Sequence, residues 1–137
     1  MSIKKPMLAG TLKDLQNIEY PVLCTPKLDG IRCLIVDRCA VSRTFKPIPN
    51  NYVRKVLEKV GKEGFDGELT VKGKPFNEIS SAIMSVSGEP DFRYQVFDYC
   101  KDDPKETYSS RMENLSRQPA LLHIEYLIPT YIKDELE

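Results

Sequence analysis

The 137-residue sequence has little that would hold a metal, span a bilayer or direct secretion. Its four cysteines, Cys24, Cys33, Cys39 and Cys100, form no Cys-x-x-Cys pair, and the single histidine, His123, is remote from all four. That spacing argues against a zinc site. Met1 to Leu8 carries no apolar h-region, so no signal peptide is expected. No apolar run approaches the ~20 residues that cross a bilayer, so no membrane partner is expected. Free thiols without a secretion signal suit a reducing, intracellular setting, in cytoplasm or nucleus. No internal repeat or low-complexity segment is present. The length suits one domain with a modest core.

A net charge is also missing, but the charges are not evenly spread. Residues 1–62 carry 12 Lys/Arg and 5 Asp/Glu, and residues 63–137 carry 8 and 15. The imbalance, +7 against −7, suggests one basic surface able to meet a polyanion.

Hydrophobic periodicity gives the elements. Thr11 to Asn17 reads as a short helix with Thr11 as its N-cap. Tyr20 to Thr25 and Ile31 to Asp37 read as strands, with a turn at Asp37-Arg38-Cys39 leading into Ala40-Val41-Ser42. Pro47 and Pro49 forbid regular structure just after. A helix capped by Asn50 or Asn51 runs to Val60, with Val53, Val56, Leu57 and Val60 at helical spacing and Gly61 suited to its end. Phe65 to Val71 reads as a strand and Lys72-Gly73-Lys74 as a tight turn. Asn77 to Ser85 reads as a helix, Tyr94 to Tyr99 as a strand, and Tyr108 to Gln118 as a helix stopped by Pro119. A last strand is expected over Ile124 to Ile132, bent at Pro129. The pattern predicts an α+β fold, a largely antiparallel sheet with flanking helices.

One segment carries chemistry: Lys27-Leu28-Asp29-Gly30-Ile31-Arg32. A lysine attacks phosphorus only when its amine is neutral, a state that burial and neighbouring cations favour. Arg32 is a candidate for such a cation. Gly30 is expected to allow a bend with positive φ. Asp29 is placed to orient a hydroxyl or a metal-bound water. Three more segments follow in order: Ser42-Arg43-Thr44-Phe45-Lys46-Pro47-Ile48-Pro49-Asn50, then Phe65-Asp66-Gly67-Glu68-Leu69, then Val96-Phe97-Asp98-Tyr99.

Together the four segments resemble motifs I, Ia, III and IIIa of the covalent nucleotidyltransferase superfamily, and most closely those of ATP-dependent DNA ligases. The likeness runs from about Pro6 to about Pro129. It implies an ATP-grasp-like adenylation fold, with residues 1–137 as its N-terminal portion. It implies that Lys27 attacks the α-phosphate of ATP to form lysyl-AMP, so that one hard joining reaction is divided into easier steps. AMP then passes to the 5′-phosphate of a nick, and the 3′-hydroxyl displaces it. Thr25 would border the adenine edge and Phe97 would stack on its face. Glu68 would contact the ribose hydroxyls or help hold Mg²⁺. Arg32 would contact the sugar or phosphate of the adenylate. Asp66 is the less defined carboxylate, a shaper of the turn at Gly67. Arg43 would grip the nick 5′-phosphate through its planar fork, with Ser42 and Lys46 adding contacts to the DNA backbone.

The family's Glu-Gly motif IV, Lys-x-Lys motif V and OB-fold domain do not follow Phe97. Glu63-Gly64 and Lys72-Gly73-Lys74 have the right letters in the wrong places. Weak self-labelling by ATP, or none, is therefore expected of this chain. Open sheet edges, with self-association or a second chain supplying the missing motifs, are expected too. Two alternatives stand beside the ligase reading. One is a catalytically incompetent relative that binds DNA or a partner. The other is an mRNA-capping guanylyltransferase fragment, which shares Lys-x-Asp-Gly and Asp-Gly-Glu; the Ser42 to Asn50 segment favours the ligase.

Overall fold

The computed structural model describes Gly10, residues 18–100 and residues 106–133. The expected helix at Thr11 to Asn17 lies outside the described residues. Strands β1 (Val22–Cys24) and β7 (Thr130–Ile132) pair antiparallel in a two-stranded sheet. The main sheet has the order β3-β2-β4-β5-β6, from β2 (Ile31–Val36), β3 (Cys39–Val41), β4 (Phe65–Val71), β5 (Phe92–Tyr99) and β6 (Ile124–Tyr126). All its pairings are antiparallel except β5 with β6. Helices α1 (Asn51–Val60), α2 (Phe76–Met84) and α3 (Tyr108–Ser116) bury apolar residues in one common core with this sheet. The fold is α+β and largely antiparallel, as the periodicity predicts.

The alternation of β4 and β5 decides which face is covered. Phe65, Leu69, Phe92 and Tyr94 are fully buried against Val53 and Leu57 of α1, Ile83 of α2 and Leu115 of α3. Each large apolar side chain so buried contributes about 1.5–3 kcal/mol. Tyr94 satisfies its hydroxyl by donating to the Cys33 carbonyl at 2.7 Å. Leu34, Val36 and Val41 form a smaller separate cluster with Phe45. Arg32, two residues before Leu34 in β2, shares the face of that second cluster, because strand side chains alternate.

Asn50 is the N-cap of α1, its Oδ1 accepting from the Val53 amide at 2.9 Å. Its Nδ2 faces the carbonyls of Ala82, Ser85, Ser87 and Gly88 at 2.9–3.4 Å. One buried amide thus starts α1 and anchors the segment that follows α2.

Three local expectations change. The segment Ile124 to Ile132 is not one bent strand: Ile124–Tyr126 joins β5 and Thr130–Ile132 joins β1, in different sheets. Pro129 cannot donate a ladder hydrogen bond, and the chain switches sheets around it. Gly61 ends α1 with φ −76°, not in the left-handed region. Glycine is needed there because a Cβ would collide with Ile35 Cδ1 and lie 2.7 Å from the Leu57 carbonyl oxygen. Finally, the sheet edge at β3 is not bare, since Ala40 donates to Glu58 Oε2 at 3.1 Å and accepts from Ile48.

Candidate nucleotide and nucleic-acid site

Strand β1 delivers the chain to a loop over residues 25–29, and β2 begins immediately after Gly30. Thr25 is half-buried in this loop. The Lys27 side chain is 92% exposed, and its Nζ lies 4.0 Å from Asp29 Oδ1. The enclosure expected around a nucleophilic lysine is therefore absent among the described residues. Gly30 does not adopt positive φ. The requirement for glycine is close approach: a Cβ would strike the Leu69 carbonyl oxygen and lie 3.1 Å from its carbon. The tight contact presses the end of the lysine loop onto β4.

The register between β2 and β4 sets Arg32 opposite Glu68 and Leu34 opposite Asp66. Arg32 donates Nε to Asp66 Oδ1 at 2.7 Å and Nη2 to Oδ2 at 2.6 Å. Asp66 is 1% exposed, so this is a buried bidentate pair rather than a turn-shaping side chain. The hydrogen bond to Asp66 raises the Arg32 pKa, against a lowering by burial. Burial pushes the Asp66 carboxyl up, and Arg32 pulls it back. Glu68 is half-buried; burial raises its pKa, while Arg32 and the Gly30 backbone amide draw it down. A carboxylate held by one amide beside a guanidinium retains lone pairs for hydroxyl donors.

Phe97 occupies an irregularity in β5. Gly67 pairs with Val96 and Asp66 with Asp98, so Phe97 has no partner on β4. Gly67 makes this possible, since a Cβ would strike the Gln95 carbonyl oxygen and lie 2.8 Å from Val96 Cα. The Arg32 guanidinium carbon sits 5.0 Å from the Phe97 ring centroid, covering one face of that ring. Lys27's loop, Arg32, Glu68 and Phe97 are thus joined through β2, β4 and β5, although Lys27 itself points into solvent. Among the described residues no group of three or more His, Cys, Asp or Glu could hold a metal. Glu68 alone fits the one-carboxylate share of a Mg²⁺ whose other ligands are phosphates and water.

Ser42, Arg43 and Lys46 belong to a tight turn after β3. Ser42 N donates to the Lys46 carbonyl at 2.7 Å and Phe45 N to the Ser42 carbonyl at 2.8 Å. Phe45 takes φ 63°. The Ser42 hydroxyl is spent on the turn itself, 3.1 Å from Thr44 Oγ1. Arg43 and Lys46 are exposed and make no ion pair among the described residues.

The sheet order gathers much of the basic half of the chain. Residues 37–63 carry 7 Lys/Arg and 3 Asp/Glu, and comprise the edge strand β3, its turns and α1 packed beside it. Of the acids, Glu58 and Glu63 accept backbone amides, Glu63 from both Asp37 and Arg38 at 2.8 Å. Both of those residues take positive φ, which Glu63 stabilises. Glu63-Gly64 is therefore a structural device, and Gly73 at φ 72° is the turn glycine of Lys72-Gly73-Lys74.

Sequence reasoning missed Arg111. Its Nε donates to the fully buried Asp98 at 2.7 Å and its Nη2 at 3.3 Å. Nothing local marks this pair, because the partners come from α3 and β5.

No protein-family model matches the sequence, and no curated protein matches it. Solved structures do. The chain is similar to the Chlorella virus DNA ligase-adenylate, at 36% identity and a TM-score of 0.88 over 98% of this chain and 53% of that one. A second crystal structure of that ligase-adenylate matches at 36% identity and a TM-score of 0.86, over 95% of this chain and 51% of that one. A structure from work on Lig E DNA ligases and DNA binding with a minimal scaffold matches at 20% identity, over 96% and 53%, with a TM-score of 0.75. At that identity the likeness shows the fold alone. The chain spans about half the length of these ligases. The fold is thus that of a partial adenylation domain of the nucleotidyltransferase kind. Within that class, the chain's likeness is to ATP-dependent DNA ligases.

Proposed function

We propose that the chain is the nucleotide-binding front of a DNA ligase adenylation domain, acting on nicked duplex DNA with ATP and Mg²⁺. The observation that carries this reading is the β2–β4 register, which sets Arg32 beside Glu68 with Phe97 beneath, one strand from the Lys27 loop. A ring face, a carboxylate for ribose hydroxyls and a fixed cation suit base, sugar and phosphate in turn. Thr25 borders the base. The Lys27 amine forms an N–P bond to the α-phosphorus, the bond to the β-phosphate oxygen breaks, and pyrophosphate leaves. The amine proton passes to solvent. Arg43 and Lys46, on the basic β3 edge, bind backbone phosphates, and Ser42 shapes their turn.

Lys27's exposure favours a second reading, a module that binds nucleotide or DNA without chemistry. One experiment separates the two. The chain is incubated with ATP labelled at the α-phosphate and with Mg²⁺. Slow label at Lys27, lost in Lys27→Ala, is the expected result. ATP binding without label supports the binding module. No ATP binding, or label from GTP but not ATP, overturns the ligase reading.

A further inference from the structure

We infer that Arg111 is a positioning residue for the nucleotide face: by holding Asp98 it fixes the bulge that turns Phe97 toward Arg32. The inference rests on the proposed reading of Phe97 as the base platform. Phe97 and Asp98 are adjacent, yet their side chains have divergent partners. The Phe97 ring lies 5.0 Å from the Arg32 guanidinium carbon, while the Asp98 carboxylate goes to Arg111 of α3. Asp98 is fully buried and also accepts from the Tyr99 amide at 2.8 Å. Arg111 is itself fixed, donating Nη1 to the Glu106 carbonyl at 2.9 Å and lying 5.4 Å from the Tyr108 ring.

The bulge is held from both sides. Asp66, gripped by Arg32, is the register partner of Asp98, gripped by Arg111. An extra residue in a strand is free to shift along it unless its neighbours are pinned. Here both neighbours are: the Val96 carbonyl accepts from Leu127 N at 2.8 Å, and Asp98 is bound to α3. Breaking the Arg111 link leaves the Asp98 side held by its strand pairing with β4 alone, so the Phe97 ring is less firmly oriented. Its effect falls on base recognition and not on phosphate binding.

The sequence contains no tryptophan, so Phe97→Trp creates a sole tryptophan at the platform, excited selectively over the seven tyrosines. In that chain ATP is expected to quench the emission, and tripolyphosphate, which has no base, is not. The test adds Asp98→Asn with Arg111→Met, which removes the link without leaving a buried carboxylate unpaired. ATP affinity is then expected to fall roughly tenfold, the scale of one base–aromatic stack, with tripolyphosphate affinity unchanged. Arg111→Lys, which keeps charge but lacks the planar fork, is expected to lose less. Circular dichroism confirms that each variant is folded. Unchanged ATP affinity in the double variant, or equal loss for ATP and tripolyphosphate, overturns the inference and leaves the nucleotide reading standing. Absence of ATP binding in the unsubstituted chain, or of quenching in a Phe97→Trp chain that still binds ATP, overturns both.

Discussion

Arg32 and Asp66 form a two-point clamp between β2 and β4, with both nitrogen–oxygen distances at or below 2.7 Å and the carboxylate 1% exposed. The pair makes Arg32 a fixed cation instead of a free one. It also couples the stability of the sheet to the proposed site.

Removing one partner of a buried pair leaves an uncompensated charge. Arg32→Ala is therefore expected to destabilise the chain by about 3–5 kcal/mol. Arg32→Lys is expected to cost less, because it keeps a positive charge beside Asp66, but not nothing, because one point charge cannot reproduce the fork. Urea unfolding measures both. A loss below about 1 kcal/mol for Arg32→Ala, the range of exposed pairs, would contradict the burial argument.

Glu68 is expected to trade stability for binding. Burial raises its folded-state pKa above the ordinary 4.5, so the folded chain holds its proton more tightly. Stability then falls as pH rises through the carboxylate range, with the penalty absent at lower pH and complete above the raised pKa. Glu68→Gln removes the penalty. At neutral pH it should melt at a higher temperature than the parent while binding ATP less well. A lower melting temperature at neutral pH would show that the Arg32 attraction outweighs the desolvation.

Thiol reactivity should divide two and two. Cys24 and Cys39 are exposed and should react quickly with a thiol reagent at pH 8. Cys33 is buried, and burial drives its thiol far up; Cys100 is pushed up to about 12 for the same reason. Cys33 should react only in denaturant, and the half-buried Cys100 more slowly than the exposed pair. Mass spectrometry of timed labelling reads the pattern, and rapid labelling at Cys33 would contradict the core packing.

Asn50→Ala is expected to cost about 2–4 kcal/mol, from a lost cap and carbonyls left without their donor. Asn50→Ser should recover roughly the cap's share, about 1 kcal/mol, because its hydroxyl still reaches an amide. Chemical denaturation compares the three chains. Equal stability of Asn50→Ser and the parent would mean that the carbonyl contacts carry nothing.

Gly30→Ala tests the close approach of the lysine loop to β4. The added methyl meets backbone, which does not yield as a flexible side chain does, so a cost of about 1–3 kcal/mol is expected. Lys27 labelling should fall with it. An unaltered melting temperature would mean that the β2–β4 contact has room to relax.

The sequence by itself determined what depends on neighbours in the chain. Alternation in Phe65–Val71, helical spacing in Asn51–Val60, the Asn50 cap and the Gly73 turn are local, and each element formed close to its expected place. The four motifs also named the family to which the fold is similar. Tertiary structure decided what depends on distant partners. Asp66 looks like a turn residue until β2 brings Arg32 to it. Gly30, Gly61 and Gly67 look like sites of backbone freedom until packing shows what a Cβ would strike. Ile124 to Ile132 looks like one strand until two sheets divide it. Lys27, the most legible residue in the sequence, has a side chain that is 92% exposed in the fold. Its neighbours in sequence identify it, but only side chains brought from other elements can surround an amine and change its chemistry.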